Sequence, residues 1–174
     1  MHATPATHRW LRLLKHRRFD AGDVRRLLGD GAIERLHARV AASEARHSGE
    51  IRLCVEAGLP FSYLRSRATP RERAVAMFGK LRVWDTEHNN GVLIYLLLAE
   101  HAIEIVADRG VMRHVGPATW QGIAATMEAA FKAGRFEEGL NQAIDAVGEL
   151  LAVHFPLAPG AVNPNELTDS PDLR

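Results

Sequence analysis

Between Leu81 and Arg109 the chain reads LRVWDTEHNNGVLIYLLLAEHAIEIVADR, with Asp85, Glu87, His88, Asn89 and Asn90 crowded ahead of one apolar run and Asp108–Arg109 after another. Carboxylates and amide oxygens are the ligands a hard cation such as Ca²⁺ or Mg²⁺ requires. The candidate metal ligands are Asp85, Glu87, Asn90 and Asp108. Glu87 or His88 is the candidate proton carrier, and Arg109 could steady phosphate charge. A cation held there could polarise a phosphoryl oxygen or lower the pKa of bound water. The same residues also suit a plainer role, in which Asn90–Gly91 forms a left-handed turn and Asp85 caps its own loop.

Which of these holds depends on what brings Asp108 back to the loop. Val92–Ala99 is apolar throughout, as expected of a strand covered on both faces. A short turn at Glu100–His101 leads to a returning strand, Ala102–Ala107, so a hairpin would place Asp108 beside residues 84–90. Upstream, Ile51, Leu53 and Val55 alternate with Arg52, Cys54 and Glu56, the pattern of a half-buried strand over Glu50–Ala57. Thr69–Pro70–Arg71–Glu72 is a helix start, with Thr69 as cap, Pro70 at the first helical position and Glu72 reaching back. That helix makes the connection between the first two strands a crossover, so they should be parallel. Their shared starting edge would then gather His47, Glu50, Asp85, Glu87, Asn89, Asn90, Asp108 and Arg109.

Further helices surround this unit. Ile33, Leu36 and Val40 mark one over Gly31–His47, with Asp30 as its expected cap. Trp120, Ile123, Met127 and Phe131 mark a second, ended at Gly134, and Leu140, Ile144, Val147 and Leu151 a third. The expected architecture is a three-layer α/β/α sandwich with a small mixed sheet. Residues 31–156 form its single domain, residues 1–30 a basic N-terminal arm and residues 157–174, rich in Pro, Gly, Asn and Asp, a flexible tail. His114 and His154 are expected to be structural, and Trp84 a hydrophobic lid over the sheet end.

A formal net charge of +1 makes no whole-molecule case for nucleic acid. Charge is concentrated instead: five Lys or Arg lie between Arg9 and Arg18, and no acid precedes Asp20. Beside Trp10, Leu11, Leu13 and Leu14 they make residues 9–18 a candidate weak contact with an anionic membrane, or a helix packed on the domain. A secretory signal and a run of about 20 apolar residues are both missing, which points to a cytoplasmic protein, peripheral at the membrane at most. The lone Cys54 is expected to be a buried small side chain.

WDTEHNNGVLIYLLLAEHAIEIVADRGV, followed by helical sequence containing FKAGRFEEGL, resembles the TPM domain of thylakoid-lumen, photosystem-repair and receptor-modulator proteins, with many bacterial members. The resemblance rests on Trp84, Asn90–Gly91–Val92, the two apolar strands, Phe131–Gly139 and the upstream Ser48–Gly49–Glu50–Ile51, and spans roughly 32–155. It implies an α/β/α sandwich, divalent-cation binding in some members and acid-phosphatase activity in a plant member. The chain departs from the pattern in lacking a signal and membrane tail, in Ala107–Asp108–Arg109–Gly110 where a Gly-rich turn is usual, and in its basic arm. Two functions follow. One is a cation-binding adaptor for assembly or repair of membrane proteins, with a membrane-associated protein partner. The other is a metal-assisted phosphomonoesterase.

Overall fold

A computed structural model describes residues 5–174, with side chains from residue 10 onward other than residue 21. The element order is α1 (Pro5–Arg17), α2 (Ala21–Leu28), α3 (Ala32–Glu44), β1 (Glu50–Glu56), α4 (Phe61–Arg65), α5 (Pro70–Lys80) and β2 (Gly91–Leu97). A 3-10 turn (Leu98–Glu100), β3 (Ala102–Ala107), α6 (Arg109–Met112), α7 (Pro117–Lys132), α8 (Phe136–His154) and β4 (Asp172–Leu173) complete it. The sheet order is β3-β2-β1-β4. β1 runs parallel to β2 with Glu50 opposite Gly91, and β3 returns antiparallel with Ala107 opposite Val92. This is the expected α/β sandwich with a mixed sheet.

Alternation along the strands builds two cores. Ile51, Leu53, Val55, Val92, Ile94, Leu96 and Ile105 point to one face, where they meet Leu36 and Val40 of α3, Met127 of α7 and Leu140, Ile144, Val147 and Leu151 of α8. Cys54, Leu93, Tyr95, Leu97 and Val106 point to the other, against Leu64 of α4 and Ala74 and Met77 of α5. Burial pushes the Cys54 thiol up to about 12, so it behaves as a small apolar side chain.

In the fold itself the structure departs from the sequence reading in four places. β1 is buried on both faces, because α4 and α5 cover the Cys54 side and the chain before β4 lies over Arg52, while β4 itself pairs with the outer edge. Residues 157–174 are therefore not a flexible tail: Arg52 donates to the carbonyls of Thr168 and Ser170, and the backbones of Val55 and Ala57 bond to Arg174. The domain also starts before residue 31, since Val24 and Leu28 of α2 are core residues. Asp30 does not cap α3; Gly31, in the left-handed region with φ 68°, takes the cap position before Ala32, and the capping box sits one helix earlier, between Asp20 and Asp23.

The crossover helix is tied down at its start. Thr69 and Glu72 form the expected capping box, with Glu72 N–H to Thr69 Oγ1 at 3.1 Å and Thr69 N–H to Glu72 Oε2 at 2.7 Å. One turn on, Arg73 makes a fork to Glu56 at the end of β1, with Nε to Oε2 at 2.9 Å and the terminal nitrogen to Oε1 at 2.6 Å. Tyr95 of β2 donates to the same Oε2 at 2.6 Å, and the guanidinium lies 4.5 Å from the Tyr63 ring centre. The carboxylate bonds hold the Arg73 pKa above its ordinary value, so the buried group stays charged.

Removing one partner of a buried ion pair leaves an uncompensated charge, so Glu56→Ala should cost about 3–5 kcal/mol in denaturant unfolding. Thr69→Ala, which removes only a cap, should cost about 1 kcal/mol. Equal costs for the two would show that the ion pair does not carry the crossover.

Candidate functional site

Parallel pairing places the starts of β1 and β2 and the end of β3 at one edge. The approach is close. A Cβ on Gly91 would lie 2.0 Å from the Val83 carbonyl, and one on Gly110 would lie 2.4 Å from the Asn89 carbonyl. Asp108 N–H bonds to Gly91 O at 2.9 Å and Gly110 N–H to Asn89 O at 3.0 Å, which fastens the start of α6 to the loop before β2. The left-handed residue is Asn89, with φ 52°, rather than the expected Asn90–Gly91, because Gly91 already begins β2.

Of the candidate ligands, Asn90 and Asp108 are buried at this junction. Asn90 N–H bonds to Thr86 Oγ1 at 3.1 Å and its Nδ2 to Ser48 O at 2.9 Å, but its Oδ1 has no donor. Asp108 caps α6 by accepting Arg109 N–H on Oδ1 at 2.6 Å, while its Oδ2 is also buried without a partner. The other two lie apart. Asp85 pairs with Arg82 on the surface, and Glu87 is exposed, its backbone N–H bonded to Glu166 Oε2 at 3.0 Å. His88 and Arg109 are exposed as well. Among the described residues, no three His, Cys, Asp or Glu side chains converge in a way that could hold a metal. Trp84 is half exposed, its indole N–H 3.4 Å from Gly79 O, so it does not act as a lid.

A second polar group, unforeseen in the sequence apart from His47 and Glu50, lies beside β1. Glu50 accepts the N–H groups of Glu166 and Leu167 at 3.1 and 3.2 Å, and Asn163 donates to the carbonyls of His47 and Gly49 at 2.9 and 3.3 Å. Glu44 accepts Ile51 N–H at 2.7 Å. Burial, then the nearby Glu50 and Asp169, pushes the Glu44 carboxyl up to about 9, and burial pushes Glu50 up to about 7. Burial lowers His47 to about 4. The legible clue was Glu44 itself, which continues the Leu36–Val40 spacing and so puts a carboxyl on the apolar face of α3. His114 and His154 stack at 5.0 Å between ring centres, with Phe155 edge-on to His114.

The TPM domain family matches residues 23–150. The chain belongs to that family. The TPM domain thus starts within α2, which agrees with the core positions of Val24 and Leu28. The BA42 protein of the psychrophilic bacterium Bizionia argentinensis, solved by NMR, has the same fold at a TM-score of 0.71 and 26% identity, over 83% of this chain and 93% of that one. The N-terminal domain of a P. gingivalis protein shares the fold at a TM-score of 0.60 and 20% identity, over 76% of this chain and 83% of that one. No curated protein sequence matches.

The buried acids of this TPM domain set the sign of its pH dependence. A carboxyl with a raised folded pKa binds its proton more tightly in the folded state, so its stabilisation is full below the unfolded value and is lost as pH rises toward the folded one. For Glu44 that window runs from 4.5 to about 9, and for Glu50 from 4.5 to about 7. His47 opposes them between about 4 and 6.5, where its contribution falls as pH falls. Between pH 7 and 9 only Glu44 of the three still titrates, at a slope of up to about 1.4 kcal/mol per pH unit. Urea midpoints of the native protein should therefore fall across that range. Those of Glu44→Gln, which keeps an acceptor for Ile51 N–H, should stay nearly level. Parallel profiles would count against a neutral Glu44.

Proposed function

We propose that the open end of the β2–β3 hairpin holds a divalent cation, and that this TPM domain serves as a cation-binding adaptor in the assembly or repair of membrane proteins. One observation carries the cation: Asn90 Oδ1 and Asp108 Oδ2 are buried oxygens without hydrogen-bond donors, on residues adjoining the same Gly91–Asp108 bond. A buried acceptor without a partner is costly unless something compensates it. A hard cation is such a partner, since it takes amide, carboxylate, backbone and water oxygens together. Asn90 and Asp108 fit that donor set. Asp85 and Glu87 would join it only if the exposed 84–89 loop moved.

The adaptor role is supported by apolar side chains that remain on the surface, among them Trp10, Leu11 and Phe61. The phosphomonoesterase reading is supported by Arg109 and His88, both exposed beside the same junction, where they could bind phosphate and carry a proton. A bound cation would supply charge neutralisation at a phosphoryl oxygen.

With a single carboxylate in the inner set, affinity should be weak, in the range of about 10⁻⁴–10⁻³ M for Ca²⁺. Calorimetric titration should show binding to the native protein and its loss in Asp108→Asn, a change that keeps the acceptor capping α6. Arg82→Ala, which frees Asp85, should leave binding intact or strengthen it. Heat of binding unaltered by Asp108→Asn would move the cation elsewhere. Turnover of aryl phosphates that vanishes in Asp108→Asn and Arg109→Ala would favour the phosphatase.

A further inference from the structure

The basic arm is neither loose nor wholly consumed by packing. Arg12 Nε bonds to Glu100 Oε1 at 2.7 Å and its terminal nitrogen to Ala68 O at 2.7 Å. His16 Nε2 meets the same Glu100 oxygen at 2.8 Å, and its Nδ1 accepts Leu59 N–H at 2.9 Å. Gly58 lies so close that a Cβ there would sit 2.8 Å from His16 O. Leu13 packs against the core on the α4–α5 side. One side of α1 is thus locked to the domain at the hairpin turn, at the end of the sheet away from Asn90 and Asp108.

The other side is largely exposed among the described residues. Trp10, Leu11 and Leu14 are 69%, 63% and 58% exposed, and Phe61 at the start of the neighbouring α4 is 68% exposed. At about 100° per residue the three on α1 share one arc of the helix. Lys15, Arg17 and Arg18 border it, and Arg65 and Arg67 follow on and after α4, all exposed and none paired with a carboxylate among the described residues. Arg9 lies outside the residues whose side chains are described.

We propose that this α1–α4 face seats the domain on an anionic lipid bilayer. An apolar ridge edged by cations matches a surface that is hydrocarbon below and negatively charged above, and Trp is at home at that boundary. Trp10 and Phe61 could stack a base, but Leu11 and Leu14 beside them could not, and an aliphatic and aromatic ridge edged by cations is matched more fully by hydrocarbon under anionic headgroups. The helix is already folded and anchored, so little ordering entropy is lost on contact. With this end on the bilayer, the edge bearing Asn90 and Asp108 faces the water.

Sedimentation with vesicles containing phosphatidylglycerol, in a chelator to exclude cation bridging, should carry the protein down, whereas phosphatidylcholine vesicles should not. Binding should weaken as salt approaches about 1 M, where screening shortens to about 3 Å. Lys15→Glu with Arg18→Glu should reduce affinity by at least about fivefold for each charge removed. Trp10→Ala should also weaken binding while leaving the melting temperature nearly unchanged, because most of the side chain is exposed. Equal binding to neutral vesicles would overturn the proposal. So would failure to bind anionic vesicles, or retention on single-stranded RNA instead of vesicles.

Discussion

The ion pair between Arg73 and Glu56 is the contact on which the arrangement of this domain turns. Two charges inside a protein are tolerated only when their bonds replace those lost to water. Here the fork geometry, the Tyr95 hydroxyl and the Tyr63 ring together supply those replacements. The pair joins the crossover helix to the last residue of β1, and Tyr95 brings in β2. With α5 held there, β1 and β2 lie parallel, and the loop from Leu81 to Asn90 has to return along the sheet to begin β2 at the same edge as β1.

The two ends of the sheet consequently differ in chemistry. The edge where β1 and β2 start is crowded with polar backbone and side-chain atoms at close range, held by glycines that leave no room for a side chain. The opposite end, at the hairpin turn, is closed by a charged bracket in which Glu100 serves both Arg12 and His16. One end keeps oxygen atoms unsatisfied inside; the other leaves apolar side chains outside. Both are unfavourable for an isolated folded chain, and they sit as far apart as the strands allow.

Much of this was readable in the residues. The capping box at Thr69, the uninterrupted apolar run from Val92 and the return through Ala107 are local signals, and local physics decides them. β1 was harder. Arg52, Cys54 and Glu56 alternate with apolar residues as in a strand with one wet face, yet all three are buried: the chain before β4 takes Arg52, Arg73 of α5 takes Glu56, and Cys54 packs against α4 and α5. The composition of residues 157–174 suggested disorder, since ordering there comes from bonds to Glu50, Arg52 and the β1 backbone rather than from apolar content. At the polar edge, the nearness of Asn90 and Asp108 followed from topology alone. That Asp85 would instead pair with Arg82, three residues away, and that burial would push the Glu44 carboxyl far above its usual range, depended on side-chain packing that periodicity does not encode.

Pairing of β4 with β1 changes what kind of strand β1 is. A strand with one open flank is a template onto which another chain can polymerise, and natural sheets guard such flanks with charge, brevity or cover. Here the guard is two residues of strand and a few carbonyls gripped by Arg52. β1 can therefore carry a buried, hydrogen-bonded sequence without a lysine or a bulge of its own, and the protection of its flank is delegated to a segment more than a hundred residues later. A chain shortened before Asp172 would keep its core residues but present the first strand of its sheet to every neighbour in solution.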